Sequence, residues 1–348
     1  MQNKRIEYID AMRGFTMILV VYSHIITIGY GISFPTWNNF FIHFRMPLFF
    51  FISGWVLYKA NRTWDFFSTI NFLRKKFIIQ IIPTVFFLLI YIYLFDKVGF
   101  AALGVFKEGY WFTYTLFEYF LLYGIFAFTW FSIFKKESLI LDFIIIFFAL
   151  SIYLLSTLTI GSDDSTFKKI IDVIGLYQWR YFFFFITGII IKKHYEHFVK
   201  TMDNKYFSAF VILSLAGMLI FSDLLVKLPG GGTIDFILYG LLGIFVVLTY
   251  FRKNKELFER DKLFGRCLQY IGRRTLDIYL LHYFFLPDKF TVLGDFFSHY
   301  NIKILEFFVS SILALMVIII CLIVSNIIRL SPILAHYLFG VKMDFDRK

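Results

Sequence analysis

The chain has 348 residues, of which 59% are hydrophobic, 22% aromatic and only 17% charged. A soluble domain carries about 45–50% apolar and about 25% charged residues, so an ordinary soluble globular or disordered protein is excluded. The apolar runs are continuous and do not alternate with period 2, which excludes a transmembrane β-barrel and leaves an all-α, polytopic bundle in lipid. The formal net charge of +11 then takes its meaning from where the cations fall relative to the spans.

Ten apolar windows of spanning length follow one another: 11–32, 40–58, 77–96, 110–134, 139–159, 170–191, 206–226, 232–251, 267–290 and 303–329. Ten is even, so both termini share a side. The connecting segments on that side hold 23 Lys and Arg, and those on the other hold 7, namely Lys97, Lys107, Lys168, Lys169, Lys227, Lys289 and Lys303. Cytoplasmic loops are enriched in these residues, so both termini are predicted cytoplasmic, the location is the plasma or inner membrane, and nucleic acid is not a partner. Lys4-Arg5 before the first apolar run resembles a secretory signal, but Tyr22, Ser23 and His24 stand where a small-residue cleavage site is wanted. The first span is therefore expected to stay. No internal repeat or low-complexity linker divides the chain, which reads as one transmembrane domain over 1–348. Cys267 and Cys321 give no disulfide framework and no metal-type spacing.

Ionisable side chains in a bilayer are costly and mark function by default. In the first window Arg13 and His24 are eleven residues apart. At about 100° per residue they share a helix face, separated by about 16 Å along the axis. Arg13 then lies near the cytoplasmic surface and His24 deeper; the alternative is that Arg13 snorkels or pairs with Asp10 and His24 is a hydrogen-bonded packing residue. The second window carries His43 and Arg45 about one turn inside its outer end, followed by Pro47 and the small pair Ser53-Gly54, which suits close helix approach. Arg45 also reads as an anchor to the outer headgroups. Arg74-Lys75-Lys76 opens the third window, either as a positive-inside anchor or as a polyanion site, since phosphates are best held by several Arg and Lys donors. The fourth contains Glu118. Asp172, Gln178 and Arg180 interrupt the sixth, and Asp223 and Asp235 fall in the seventh and eighth. The ninth runs Gly272-Arg273-Arg274-Thr275-Leu276-Asp277-Ile278-Tyr279-Leu280-Leu281-His282, with its arginines on the cytoplasmic side and His282 at a depth like that of His24.

These residues resemble the membrane acyltransferase 3 family, which includes bacterial O-acetyltransferases of cell-surface polysaccharides. Tyr8-Ile9-Asp10-Ala11-Met12-Arg13-Gly14 followed by His24 looks like the family's Arg-x10-His signature. His43 to Gly54, HFRMPLFFFISG, resembles its second-span motif, Thr275 to His282, TLDIYLLH, its late-span motif, and Trp111-Phe112 a pair at the head of its fourth span. The sequence departs from the family at Ile79 and Gln80, where a second basic residue is common.

The resemblance implies transfer of an acyl group, acetyl by expectation, from cytoplasmic acyl-CoA to a hydroxyl of a polysaccharide or lipid-linked saccharide, with no bound cofactor and no metal. His24 would be the general base, a role that suits a histidine, with an acyl-histidine intermediate left open. Arg13 and His282 complete the implied catalytic set. Arg13, Arg74, Lys75, Lys76, Arg273 and Arg274 would bind acyl-CoA, and His43, Arg45 and Ser53 the acceptor or the oxyanion. A secondary transporter of a small anion, or an accessory to polysaccharide export without thioester chemistry, is the competing reading. The transporter commonly shows repeated halves and broken helices.

Overall fold

The computed structural model describes residues 6–31, 36–60, 62–96, 104, 106–135, 138–158, 173–227, 231–287 and 290–341, with backbone alone at 222–225. Lys4, Arg5, Lys97, Lys136, Lys168, Lys169, Asp172, Lys289, Lys342, Arg347 and Lys348 lie outside the described residues, as does the side chain of Asp223. Among the described residues the chain is helical, without strands. Helix α1 (Glu7–His24) runs on as a π-helix over Ile25–Tyr30, and is followed by α2 (Asn38–Phe41), α3 (Arg45–Leu57), α4 (Phe66–Leu94), α5 (Trp111–Phe134) and α6 (Leu139–Leu158). A 3-10 helix over Leu176–Tyr181 leads into α7 (Phe182–Lys193), then α8 (Tyr195–Asp203), α9 (Lys205–Val226), α10 (Gly231–Lys253), α11 (Leu263–Arg273), α12 (Thr275–Phe285), α13 (Thr291–Tyr300), α14 (Lys303–Ile328) and α15 (Pro332–Phe339).

Among the described residues seven helices are long and apolar enough to cross a membrane, or eight when α8 and α9, bent by 81°, are taken as one span. The sixth and ninth windows are where the sequence count and the helices part. Over 176–181 the backbone is a 3-10 helix and α7 has only 12 residues. The ninth window breaks at Arg274, whose φ of −110° and ψ of 18° leave the helix between α11 and α12. Leu268 and Ile271 of α11 are buried while Arg266 and Arg273 are exposed, so this segment is amphipathic, whereas α12 is buried over most of its length and carries Asp277 and His282 within it. The third window also differs. Asp65 caps α4 by accepting from the Ser68 amide at 3.0 Å, so the helix starts at Phe66 and Arg74-Lys75-Lys76 lies in its interior instead of opening it.

The chain divides into two compact units, one comprising Met1–Tyr58 with Thr187–Leu322, the other Lys59–Ile186 with Ile323–Lys348. In the first, α1 is the inner helix, its apolar window 67% buried against 28% for that of α14. Up to the end of the unit, α14 presents Ile304, Phe308, Ile312, Leu315 and Ile319 outward and buries Glu306, Ser310, Ala314, Ile318 and Cys321, two stripes at the helical period. Close approach in this unit depends on glycine. A Cβ at Gly188 of α7 would meet the Phe51 carbonyl of α3, and one at Gly243 of α10 would meet the Phe44 ring.

In the second unit α4 and α5 are tied by the Thr84 hydroxyl donating to Thr113 at 2.7 Å. Helix α15 lies against α4, with Phe87 and Phe339 stacked at 6.0 Å.

Candidate functional site

Helices α1 and α11 are held face to face by one glycine on each. A Cβ at Gly14 would collide with the Leu268 carbonyl and one at Gly272 with the Asp10 carbonyl. Because Gly14 follows Arg13 and Gly272 lies three residues before Thr275, this contact delivers Arg13 to the start of α12, where its Nη2 donates to Thr275 Oγ1 at 2.9 Å. Helix α12 then runs in the same direction as α1. One turn into it, the buried Asp277 pairs with Arg274 at 3.2 Å; Arg273 is exposed.

At the far end of this pair His24 Nδ1 lies 2.8 Å from His282 Nε2. His282 is fully buried and His24 half-buried. The other nitrogen of His282, Nδ1, lies 2.8 Å from the Tyr279 carbonyl and 3.1 Å from that of Ile278. A carbonyl can only accept, so His282 Nδ1 carries the hydrogen. In the neutral ring Nε2 is then an acceptor, and His24 Nδ1 must donate to it. The remaining nitrogen of neutral His24, Nε2, therefore holds a lone pair with its ring orientation fixed. That is the form a general base requires, reached by the logic that fixes tautomers in other base–orienter pairs. Tyr283 packs on both rings, 5.2 Å from His24 and 4.0 Å from His282. Immediately beyond His24 the helix widens into the π-helix, a feature frequent at functional sites, and Gly29 of that turn abuts the Pro287 carbonyl just past α12.

The other sequence-predicted residues distribute as follows. Arg45 Nη1 donates to Asn38 Oδ1 at 3.1 Å, and its charge is close enough to act on His24. His43 stacks on Tyr239 at 4.7 Å, within electrostatic reach of the buried Asp235, and so is directed to α10 instead of joining the histidine pair. Ser53 donates to the Phe49 carbonyl one turn back at 2.8 Å; the close approach on α3 is made at Phe51 against Gly188. Arg74, Lys75 and Lys76 belong to the second unit. Arg74 and Lys75 are exposed, and the Lys76 ammonium lies over the Phe120 ring at 4.0 Å.

Sequence reading missed Glu306. It is fully buried on α14, where its carboxylate accepts from Ser310 Oγ at 2.8 Å and from the Tyr22 hydroxyl at 3.2 Å. Ser310 is also 3.3 Å from the Tyr30 hydroxyl. This ties α14 to both sides of His24 along the chain. The available signal was an acid one turn inside an apolar window with a serine at i+4.

The sequence model of the acyltransferase 3 family, described as an acyltransferase domain, matches residues 6–326. The chain belongs to this family. It is accordingly a transferase with membrane-type helices, and its Arg13, His24 and His282 fall within the matched region. No curated protein and no solved structure matches the chain.

Proposed function

We propose that the protein is a membrane O-acyltransferase that moves an acyl group, acetyl in the simplest case, from cytoplasmic acyl-CoA to a hydroxyl of a surface polysaccharide or lipid-linked glycan. The observation that carries this reading is the His24–His282 hydrogen bond, because the tautomer it imposes leaves His24 Nε2 free to accept a proton. In the reaction His24 Nε2 takes the proton of the acceptor hydroxyl as its oxygen attacks the thioester carbonyl carbon. The tetrahedral intermediate collapses with cleavage of the C–S bond, and the proton passes from His24 to the leaving sulfur. His282 positions the base. The Arg45 guanidinium stabilises charge at the oxyanion, while His43 and Ser53 line the approach of the acceptor. Arg13, held by Thr275, is the donor anchor of the first unit with Arg273 and Arg274; Arg74, Lys75 and Lys76 supply further cations. In this reading the chain crosses the inner membrane ten times with both termini cytoplasmic, a topology supported by the 23 to 7 distribution of Lys and Arg over the ten windows.

The test uses the full chain in nanodiscs with radiolabelled acetyl-CoA and isolated glycan acceptor. Free CoA is expected to appear with labelled acceptor and to stop in His24→Ala. Undiminished transfer by His24→Ala at equal expression would overturn the assignment of the base, and CoA release independent of acceptor would overturn the reaction.

A further inference from the structure

Three consecutive residues leading into α3 connect the histidine pair to α10, all of them within the first unit. Phe44 occupies the space that Gly243 leaves open. Asp235, Tyr239 and Gly243 follow one another at intervals of four, and each such step turns a helix face by only about 40°. The Phe44 contact therefore sets His43 along one stripe of α10. There His43 stacks on Tyr239 at 4.7 Å, the ring planes inclined by 21°, and Asp235 acts on it electrostatically. Arg45, two residues on, acts on His24. The arrangement leaves two polar side chains unengaged. Asp235 is 6% exposed, and among the described residues its carboxylate accepts no hydrogen bond and forms no ion pair; Oδ1 is sealed from solvent and Oδ2 is not. The half-buried His43 side chain likewise makes no hydrogen bond among the described residues, and neither ring nitrogen is sealed. A carboxylate withdrawn from water without donors is costly, and an acid inside an apolar helix marks function by default. With one face closed, Asp235 can take its donors only at Oδ2.

An ionised carboxylate only accepts, and a neutral imidazole offers one donor and one acceptor. That combination matches a ring carrying several hydroxyls, each able to donate and accept. We propose that Asp235 and His43 form the acceptor subsite, binding hydroxyls of a saccharide ring other than the one that is acylated, with Tyr239 and the Phe44–Gly243 contact positioning His43. This rests on the acyltransferase reading above and deepens it by adding Asp235 and by specifying a hydroxyl-rich acceptor. In the ten-window reading both residues stand near the outer ends of 40–58 and 232–251, the side on which a surface glycan is met. An alcohol with one hydroxyl supplies the attacking oxygen and has nothing further to offer this pair.

The test titrates the methyl glycosides of glucose, galactose, mannose and N-acetylglucosamine into the full chain in phosphatidylcholine nanodiscs, read by saturation-transfer NMR. At least one is expected to bind the wild type, and to bind Asp235→Leu at least about tenfold more weakly, as the loss of a hydrogen bond to a charged group implies. Asp235→Asn keeps the shape and one acceptor oxygen; it should fall between the two and decides the matter where Asp235→Leu does not fold. In turnover with acetyl-CoA, the ratio of kcat/KM for that glycoside to kcat/KM for cyclohexanol should drop at least about tenfold in Asp235→Leu, with the KM for acetyl-CoA unchanged. A merely structural role would lower both acceptors alike, and that result overturns the proposal. So does the absence of glycoside binding by the wild type, or wild-type affinity in both Asp235 variants at unchanged Tm. If the wild type binds a glycoside but transfers no acyl group to any acceptor, the acyltransferase reading fails, and the binding titration still decides the subsite.

Discussion

His24 and His282 share one hydrogen, their Nδ1 and Nε2 2.8 Å apart and their rings inclined by 10°. The chain Tyr279 carbonyl, His282, His24 has one direction of donation, because its far end is an obligate acceptor.

That direction makes a graded prediction. His24→Ala should lower kcat by about 10²–10⁴-fold, the usual worth of general-base assistance, with the KM for acyl-CoA unchanged. His282→Gln keeps an amide able to accept from His24 Nδ1 and should retain more kcat than His282→Leu, which leaves His24 without its acceptor. Equal rates for the two His282 variants in a steady-state assay would remove the positioning role.

The Arg13 contact separates charge from orientation. Arg13→Ala should raise the KM for the donor by about 10–100-fold, as expected for a hydrogen-bonding charged group. Thr275→Val keeps the charge but loses the 2.9 Å bond and should raise KM by only about fivefold. Donor titrations at saturating acceptor distinguish these outcomes from a common loss of folded protein.

Gly14→Ala and Gly272→Ala each add a methyl group where the opposite backbone already stands. Overpacking of this kind costs about 1–3 kcal/mol, so each should lower Tm in detergent. Each should also raise the donor KM, since the same contact aims Arg13. Gly217, around which no atom would meet an added Cβ, is the control, and Gly217→Ala should leave both readouts in place.

Glu306→Leu removes the acceptor of two buried hydroxyls, Tyr22 and Ser310. It should destabilise the first unit by about 1–3 kcal/mol per orphaned group. Glu306→Gln retains an acceptor oxygen and should recover most of the Tm. If Gln and Leu behave alike in thermal unfolding, the hydroxyl network does not stabilise α14 against α1.

The ten-span topology predicts labelling sides. In a Cys267→Ser, Cys321→Ser background, Asn301→Cys should react with an impermeant maleimide on intact cells, and Lys255→Cys only after permeabilisation. Both positions are exposed. Reaction of both from one side would require a different number of crossings between them.

Composition alone assigned the chain to lipid, and the apolar windows located most of the long helices, because a helix in hydrocarbon must be apolar over a fixed length. Spacing alone put Arg13 and His24 on one face about 16 Å apart, since both depend only on the geometry of a single helix. The breaks were less legible: Gln178 and Arg180 signalled an interruption in the sixth window, which the backbone takes as a 3-10 turn, whereas 267–290 read as one continuous span that only the backbone at Arg274 divides. Which side chains meet was decided by tertiary structure. His43 and His282 were comparable candidates beside His24 in the sequence, and the Gly14–Gly272 approach brings α12 alongside α1 while Tyr239 takes His43. Glu306 was not singled out in the sequence, and only the fold, which buries it against Tyr22, marks it. Such pairings join positions more than 250 residues apart, and they depend on where backbones can touch, which no single helix period encodes.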